Sequence, residues 1–128
     1  MNAMTTSPYA WFVEHCRRGE LAYQVRVSDG RPVFPPRVVA PETAGPLEWR
    51  VSSGRGRVYA TTTLHRKGEA PYNVALVDLD EGFRMMSTVE EIAPEAVDVG
   101  MRVQVRFKAG EGEEPPFPVF VPVSGTGA

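Results

Sequence analysis

Between Arg102 and Lys108 the sequence reads RVQVRFK, apolar at every second position. That alternation predicts a strand with one face in a core and the other in water. Tyr72 to Leu79 (YNVALVDL) predicts the strongest strand of the chain, and Asp80-Glu81-Gly82 turns it directly into another from Phe83 to Val89. Upstream, Arg57 to Arg66 is rich in β-branched residues and Leu47 to Ser53 is extended, with Gly54 and Gly56 permitting a bulge or sharp bend between them. Ile92 to Val97 predicts one helical turn before Gly100 breaks it. A last strand from Phe117 to Val123 contains Pro118 and Pro122, which lack an amide to donate and so place it at an edge. The tail, 124–128, is expected to fray. Five strands joined by turns and one brief helical connection predict a mainly β fold. A small OB-fold barrel over 47–123 fits best, with a sandwich as the alternative.

Before residue 47 the texture differs. Ser7-Pro8 is a helix entry, because serine caps free amides and proline at the first helical position gives up no needed donor. The helix is expected over 7–19, with Trp11, Phe12 and Cys16 on one face; it is too short to stand alone and must dock on something. From Leu21 to Phe34 two extended pieces flank an Asp29-Gly30 hairpin turn, and Pro35, Pro36, Pro41 and Pro46 then form a stiff connector. Residues 20–46 thus read as a small knuckle between helix and barrel.

Composition narrows the function classes. A chain of 128 residues with net charge −2 buries a core without staples and has no general attraction for nucleic acid or anionic membrane. One cysteine, Cys16, excludes an internal disulfide framework and a cysteine zinc site. The absence of a long apolar run or secretory pattern gives the expectation of a soluble, cytoplasmic protein with no membrane contact. His15 and Cys16 are helix neighbours whose side chains diverge, so they make no nucleophilic pair. Asp78, Asp80 and Glu81 read as turn chemistry, and Gly54-Arg55-Gly56 as a strand bend, since neither a Walker lysine nor a helix follows it. Met85-Met86 reads equally as strand filling or binding surface. Arg50, Arg55, Arg57, Arg66 and Lys67 form the one basic concentration, with Tyr59 and Tyr72 as sparse stacking candidates for single-stranded nucleic acid.

Taken in order, GEL (Gly19 to Leu21), GRPVFPPR (Gly30 to Arg37), EWRVSSGRGRVYATTTLHR (Glu48 to Arg66), PYNVALVDLDEGFRMMS (Pro71 to Ser87) and VGMRVQVRF (Val99 to Phe107) cover nearly the whole chain. This ordered set resembles a family, once classed only as a domain of unknown function, that joins a short helix and a rubredoxin-like zinc ribbon to a C-terminal OB-fold. Its members are associated with acyl-CoA enzymes, thiolases above all. The resemblance puts the four ribbon ligand positions at Arg26, Asp29, Ala40 and Thr43, a set that cannot complete a zinc site. It implies a degenerate, metal-free ribbon and a non-catalytic accessory subunit with no cofactor. The implied partner is a thiolase-like or other acyl-CoA enzyme, with a coenzyme A thioester at the shared interface. Trp11, Phe12, Phe34 and Arg37 are the expected partner contacts, and Arg55, Arg57 and His65 the expected ligand contacts. A homodimer through the same helix is a further outcome. A nucleic-acid module, ranked below the acyl-CoA reading, and an independent small-molecule enzyme are the alternatives.

Overall fold

The computed structural model describes residues 7–41 and 45–123; Thr43 and the tail expected to fray lie outside them. Helix α1 (Pro8–Arg17) is capped as its sequence requires: the Ser7 hydroxyl accepts from the Ala10 amide at 3.1 Å. Phe12 and Cys16, one turn apart, face inward and are buried, whereas Trp11 lies about 100° round the helix and is exposed. The single face expected for all three does not form, because adjacent helical positions diverge.

Two sheets follow. The first has the order β2-β1-β3, built from β1 (Ala22–Arg26), β2 (Pro32–Val33) and β3 (Leu47–Val51). β1 and β2 form the expected hairpin around Asp29-Gly30, with Gln24 opposite Val33. β3 was expected to open the barrel, yet it runs antiparallel to β1 along its full length, from Ala22 opposite Val51 to Arg26 opposite Leu47. Gly54 is the reason. It adopts φ +78°, and a Cβ there would stand 2.3 Å from Val105, so the chain turns a corner between sheets instead of bulging within one strand.

The second sheet has the order β6-β5-β4-β7-β8, from β4 (Arg55–Leu64), β5 (Tyr72–Leu79), β6 (Arg84–Ser87), β7 (Arg102–Lys108) and β8 (Phe117–Pro122). It curls into a half-barrel, with a single 3-10 turn at Pro94–Ala96 where one helical turn was expected. Side chains alternate as the pattern predicted: Asn73, Ala75, Val77 and Leu79 of β5 are all buried. Val58, Val77, Val103 and Phe120 are fully enclosed. The bulge falls at Tyr59, where the β4–β5 register shifts.

The two outer strands meet at one parallel bridge, Val89 to Phe120, with Phe120 N–H donating to Thr88 at 2.9 Å and Glu90 N–H donating to Phe120 at 2.7 Å. Pro118 and Pro122 sit two residues either side of Phe120, so their imide nitrogens face the same outward way. They cost the β7 ladder nothing and confine closure to the residue between them.

Four aromatic rings tie helix, knuckle and both sheets together. Phe12 meets Phe34 edge-on with centroids 5.8 Å apart, Phe34 stacks on Phe83 at 5.1 Å, and Phe83 stacks on Tyr23 at 4.7 Å. Beside them, His15 stacks on Trp49 at 5.9 Å and its Nδ1 lies 2.8 Å from Glu20. A second tie is polar. Glu81, at the β5–β6 turn, accepts from the Ser52 hydroxyl at 2.6 Å and the Ser53 amide at 2.8 Å. Burial pushes the Glu81 carboxyl up, but the hydrogen bonds from Ser52 and then Ser53 outweigh it, and the net displacement is downward.

Phe83→Ala removes the ring shared by both sheets and is expected to cost about 3–5 kcal/mol in denaturant unfolding, the range for a buried phenylalanine. A loss under about 1 kcal/mol would show that the stack does not join them. Glu81, ionised more easily in the folded chain, contributes stability that is complete above the ordinary glutamate value of about 4.3 and vanishes as pH falls through its lower folded value. Thermal unfolding across that window should therefore show the wild type converging on Glu81→Gln with acidification. A constant gap between them would refute the linkage.

Candidate functional site

Two concavities flank the Phe34-Pro35-Pro36-Arg37 segment, and Phe34 belongs to both. The larger is a groove of about 430 Å³ between α1, the knuckle, β6 and β8. Tyr9 and Phe12 come from the helix, Phe34, Pro35 and Pro36 from the knuckle, Met85 and Met86 from β6, and Phe117, Pro118 and Val119 from β8. Its size lies within the usual range for small-ligand sites. Among the described residues no charged side chain lines it; Ser87 and Thr88 are the only polar ones besides the Tyr9 phenol, and the Ser87 hydroxyl is spent on the Pro118 carbonyl at 3.2 Å. Such a surface takes up apolar groups but offers no acid, base or activated nucleophile. Met86 is 70% exposed and Tyr9 64%, so the groove rim is open.

The smaller cavity, about 210 Å³, is lined by Arg26, Arg31, Pro32, Val33, Phe34, Arg37 and Pro41. The backbone beneath it is held firmly. Buried Gln24 spans from β1 to the proline segment, donating to the Arg37 carbonyl at 2.8 Å and accepting from the Arg37 amide at 2.7 Å. The Arg26 guanidinium donates to both oxygens of the Asp29 carboxylate, and the Arg31 amide donates to the same group at 3.0 Å. These contacts, Arg26 first, hold the Asp29 carboxyl down to about 2. A zinc ion does not fit this set. Arg26 is a cation bonded to Asp29, and Ala40 is a buried methyl with no donor atom.

The expected partner contacts separate. Phe12 forms the buried floor of the groove, Phe34 its dividing wall and Arg37 the rim of the smaller cavity, while Trp11 lines neither. Phe12 is thus a core residue first, and its removal would test folding before contact. Arg55 and Arg57 point outward from β4, with Arg57 donating to the Gly100 carbonyl at 3.4 Å. His65 lies exposed beyond the far end of that strand; the seven steps from Arg57 to Leu64 alone rise roughly 23 Å. The structure does not bring these three together. Tyr59 and Tyr72 each carry a guanidinium over one face, from Arg84 at 3.4 Å and Arg66 at 5.6 Å. Cys16 is buried, which pushes its thiol up to about 11 and leaves it protonated and inert at neutral pH.

Tyr9, Phe117 and Gln24 are the site residues that sequence reasoning passed over, while Met86, read as strand filling or binding surface, stands exposed at the groove rim. Tyr9 had a signal: it stands three residues before Phe12, hence on the same side of the helix.

The comparisons with known proteins agree with this fold. Residues 49–108 match the C-terminal OB-fold domain of ChsH2. A DUF35 domain-containing scaffold protein of Methanothermobacter thermautotrophicus is 36% identical over 94 residues, 66% of this chain and 71% of that one. The chain belongs to the DUF35 family. The alpha subunit of 3-oxo-4,17-pregnadiene-20-carboxyl-CoA hydratase from Mycobacterium tuberculosis is also similar, 31% identical over 84% of this chain, which spans only 36% of that subunit. A solved DUF35 structure, described as the Ltp2-ChsH2(DUF35) aldolase, superposes with a TM-score of 0.76 at 29% identity, covering 95% of this chain and 98% of the other.

Proposed function

We propose that this DUF35 chain is a non-catalytic accessory subunit of an acyl-CoA enzyme, and that the enzyme is thiolase-like. The observation carrying the reading is the end-to-end likeness to the DUF35 component named in the Ltp2-ChsH2(DUF35) aldolase. Its hydratase relative is likewise named as a subunit of an enzyme acting on a CoA thioester. The apolar groove supports it: a surface without catalytic groups, rimmed by exposed Tyr9, Met86 and Phe117, suits a partner's apolar segment. Methionine is an adaptable residue at such contacts. In this reading the partner, together with this chain, encloses the acyl-CoA site, and the chain supplies shape without chemistry.

Co-purification of the chain from its source should bring down an acyl-CoA enzyme. Met86→Asp and Tyr9→Ala, both at exposed positions, should each weaken that complex about tenfold or more, as rim-to-core contacts do. Arg57→Ala should leave it unchanged. Full affinity in both groove variants would remove the groove from the interface, and a larger loss in Trp11→Ala would move the contact to the outer face of the helix.

The knuckle, in the same reading, is a zinc ribbon without its metal, held by Gln24 and by the Arg26–Asp29 pair. Elemental analysis of the purified chain is expected to find no stoichiometric zinc, and chelators should leave its unfolding midpoint in place. One tightly held zinc per chain would overturn this.

A further inference from the structure

We propose that the arginine-lined cavity of the knuckle is an oxyanion site that takes one phosphate-class group. Three guanidinium-bearing residues, Arg26, Arg31 and Arg37, converge on about 210 Å³, in a chain whose net charge is −2. Like charges gathered in one concavity repel one another unless an anion sits among them. Asp29 answers only part of this. Its carboxylate is bonded to Arg26, and among the described residues no acidic group lies within ion-pair distance of Arg31 or Arg37. Among the described residues three guanidinium-bearing side chains thus share one carboxylate, Asp29, which acts on Arg26 first and more weakly on Arg31.

The frame is organised before any ligand arrives. The Arg26 amide donates to the Arg31 carbonyl at 2.8 Å, and the Gly30 amide to the Arg26 carbonyl at 2.7 Å, closing a turn in which Gly30 takes φ +73°. Gln24 fixes Arg37 from the other side through both its backbone groups. The stems of all three arginines are thus anchored at the main chain, which lowers the ordering cost of binding. Guanidinium groups present paired donors that match the oxygens of a phosphate.

Volume limits the occupant. At about 30 Å³ per water the cavity holds roughly seven, and it falls below the 300 Å³ or so at which whole drug-sized ligands are enclosed. One phosphate with a few waters fits; a whole nucleotide does not. The source is either free phosphate or the phosphate of an ester whose remainder stays in solvent. The site is independent of any partner enzyme, so its failure and that of the accessory-subunit reading are separable.

The test is titration of the whole chain, labelled for amide NMR, with sodium phosphate and with glycerol 3-phosphate, against sodium chloride at matched ionic strength. Saturable shifts centred on the amides of Gly30, Arg31 and Arg37 are expected, with a rise in melting temperature that tracks occupancy. Arg31→Gln and Arg37→Gln, at exposed positions, should each weaken binding about tenfold, and Arg37→Lys less than Arg37→Gln. Tighter binding of glycerol 3-phosphate would identify an ester as the source, and tighter binding of phosphate the free ion; either supports the site. Shifts that rise linearly without saturation, or that are as large at Arg55, Arg57 and Arg66, would overturn it. So would unchanged binding in the double variant Arg31→Gln/Arg37→Gln.

Discussion

The stack Phe12–Phe34–Phe83–Tyr23 is the constraint on which the rest of the molecule depends. Each ring comes from a different piece: the helix, the proline segment, the β5–β6 turn and β1. A ten-residue helix and a two-stranded hairpin are both marginal in water, and neither has enough apolar surface to order itself. By sharing rings with the half-barrel they borrow its core. The groove and the arginine cavity exist because Phe34 stands between the helix and the β5–β6 turn, held in that place by Phe12 on one side and Phe83 on the other.

Polar contacts finish what the rings begin. Glu81 fastens the β5–β6 turn to the corner after β3, and Asn73, also buried, donates to Thr61 at 2.7 Å while accepting from the Val89 amide at 2.9 Å. No buried side-chain nitrogen or oxygen among the described residues is left without a partner. Each of these bonds crosses between segments far apart in the chain, so they fix how the pieces sit against one another once the pieces have formed.

This division explains what could be read from the sequence. The alternation in YNVALVDL and RVQVRFK announced β5 and β7, and the Ser7-Pro8 and Asp29-Gly30 signals announced the helix and hairpin, because each is a local property of a few residues. The sheet that β3 joins was not legible: alternation tells which side chains point inward but not which strand lies alongside. Nor did two bulky neighbours, Trp11 and Phe12, reveal which would be buried. At the site, Phe34 and Arg37 stood out through the stiff segment that carries them. Gln24 did not, since its partners lie thirteen residues away and an isolated glutamine in a strand has no pattern to betray it.

The outward nitrogens of Pro118 and Pro122 have one more effect. A β-sheet that stops short of full closure leaves an edge on which another chain can template itself, and a row of free amides there is the usual route to aggregation. β8 offers no such row. Its one outward amide, that of Phe120, is already given to Thr88, and the positions on either side have no hydrogen to offer. The half-barrel can therefore remain open enough to keep an apolar groove at its margin without becoming a seed for strand-to-strand polymerisation. An open apolar groove and a protected sheet edge are reconciled by two residues that have no amide to offer a neighbouring strand.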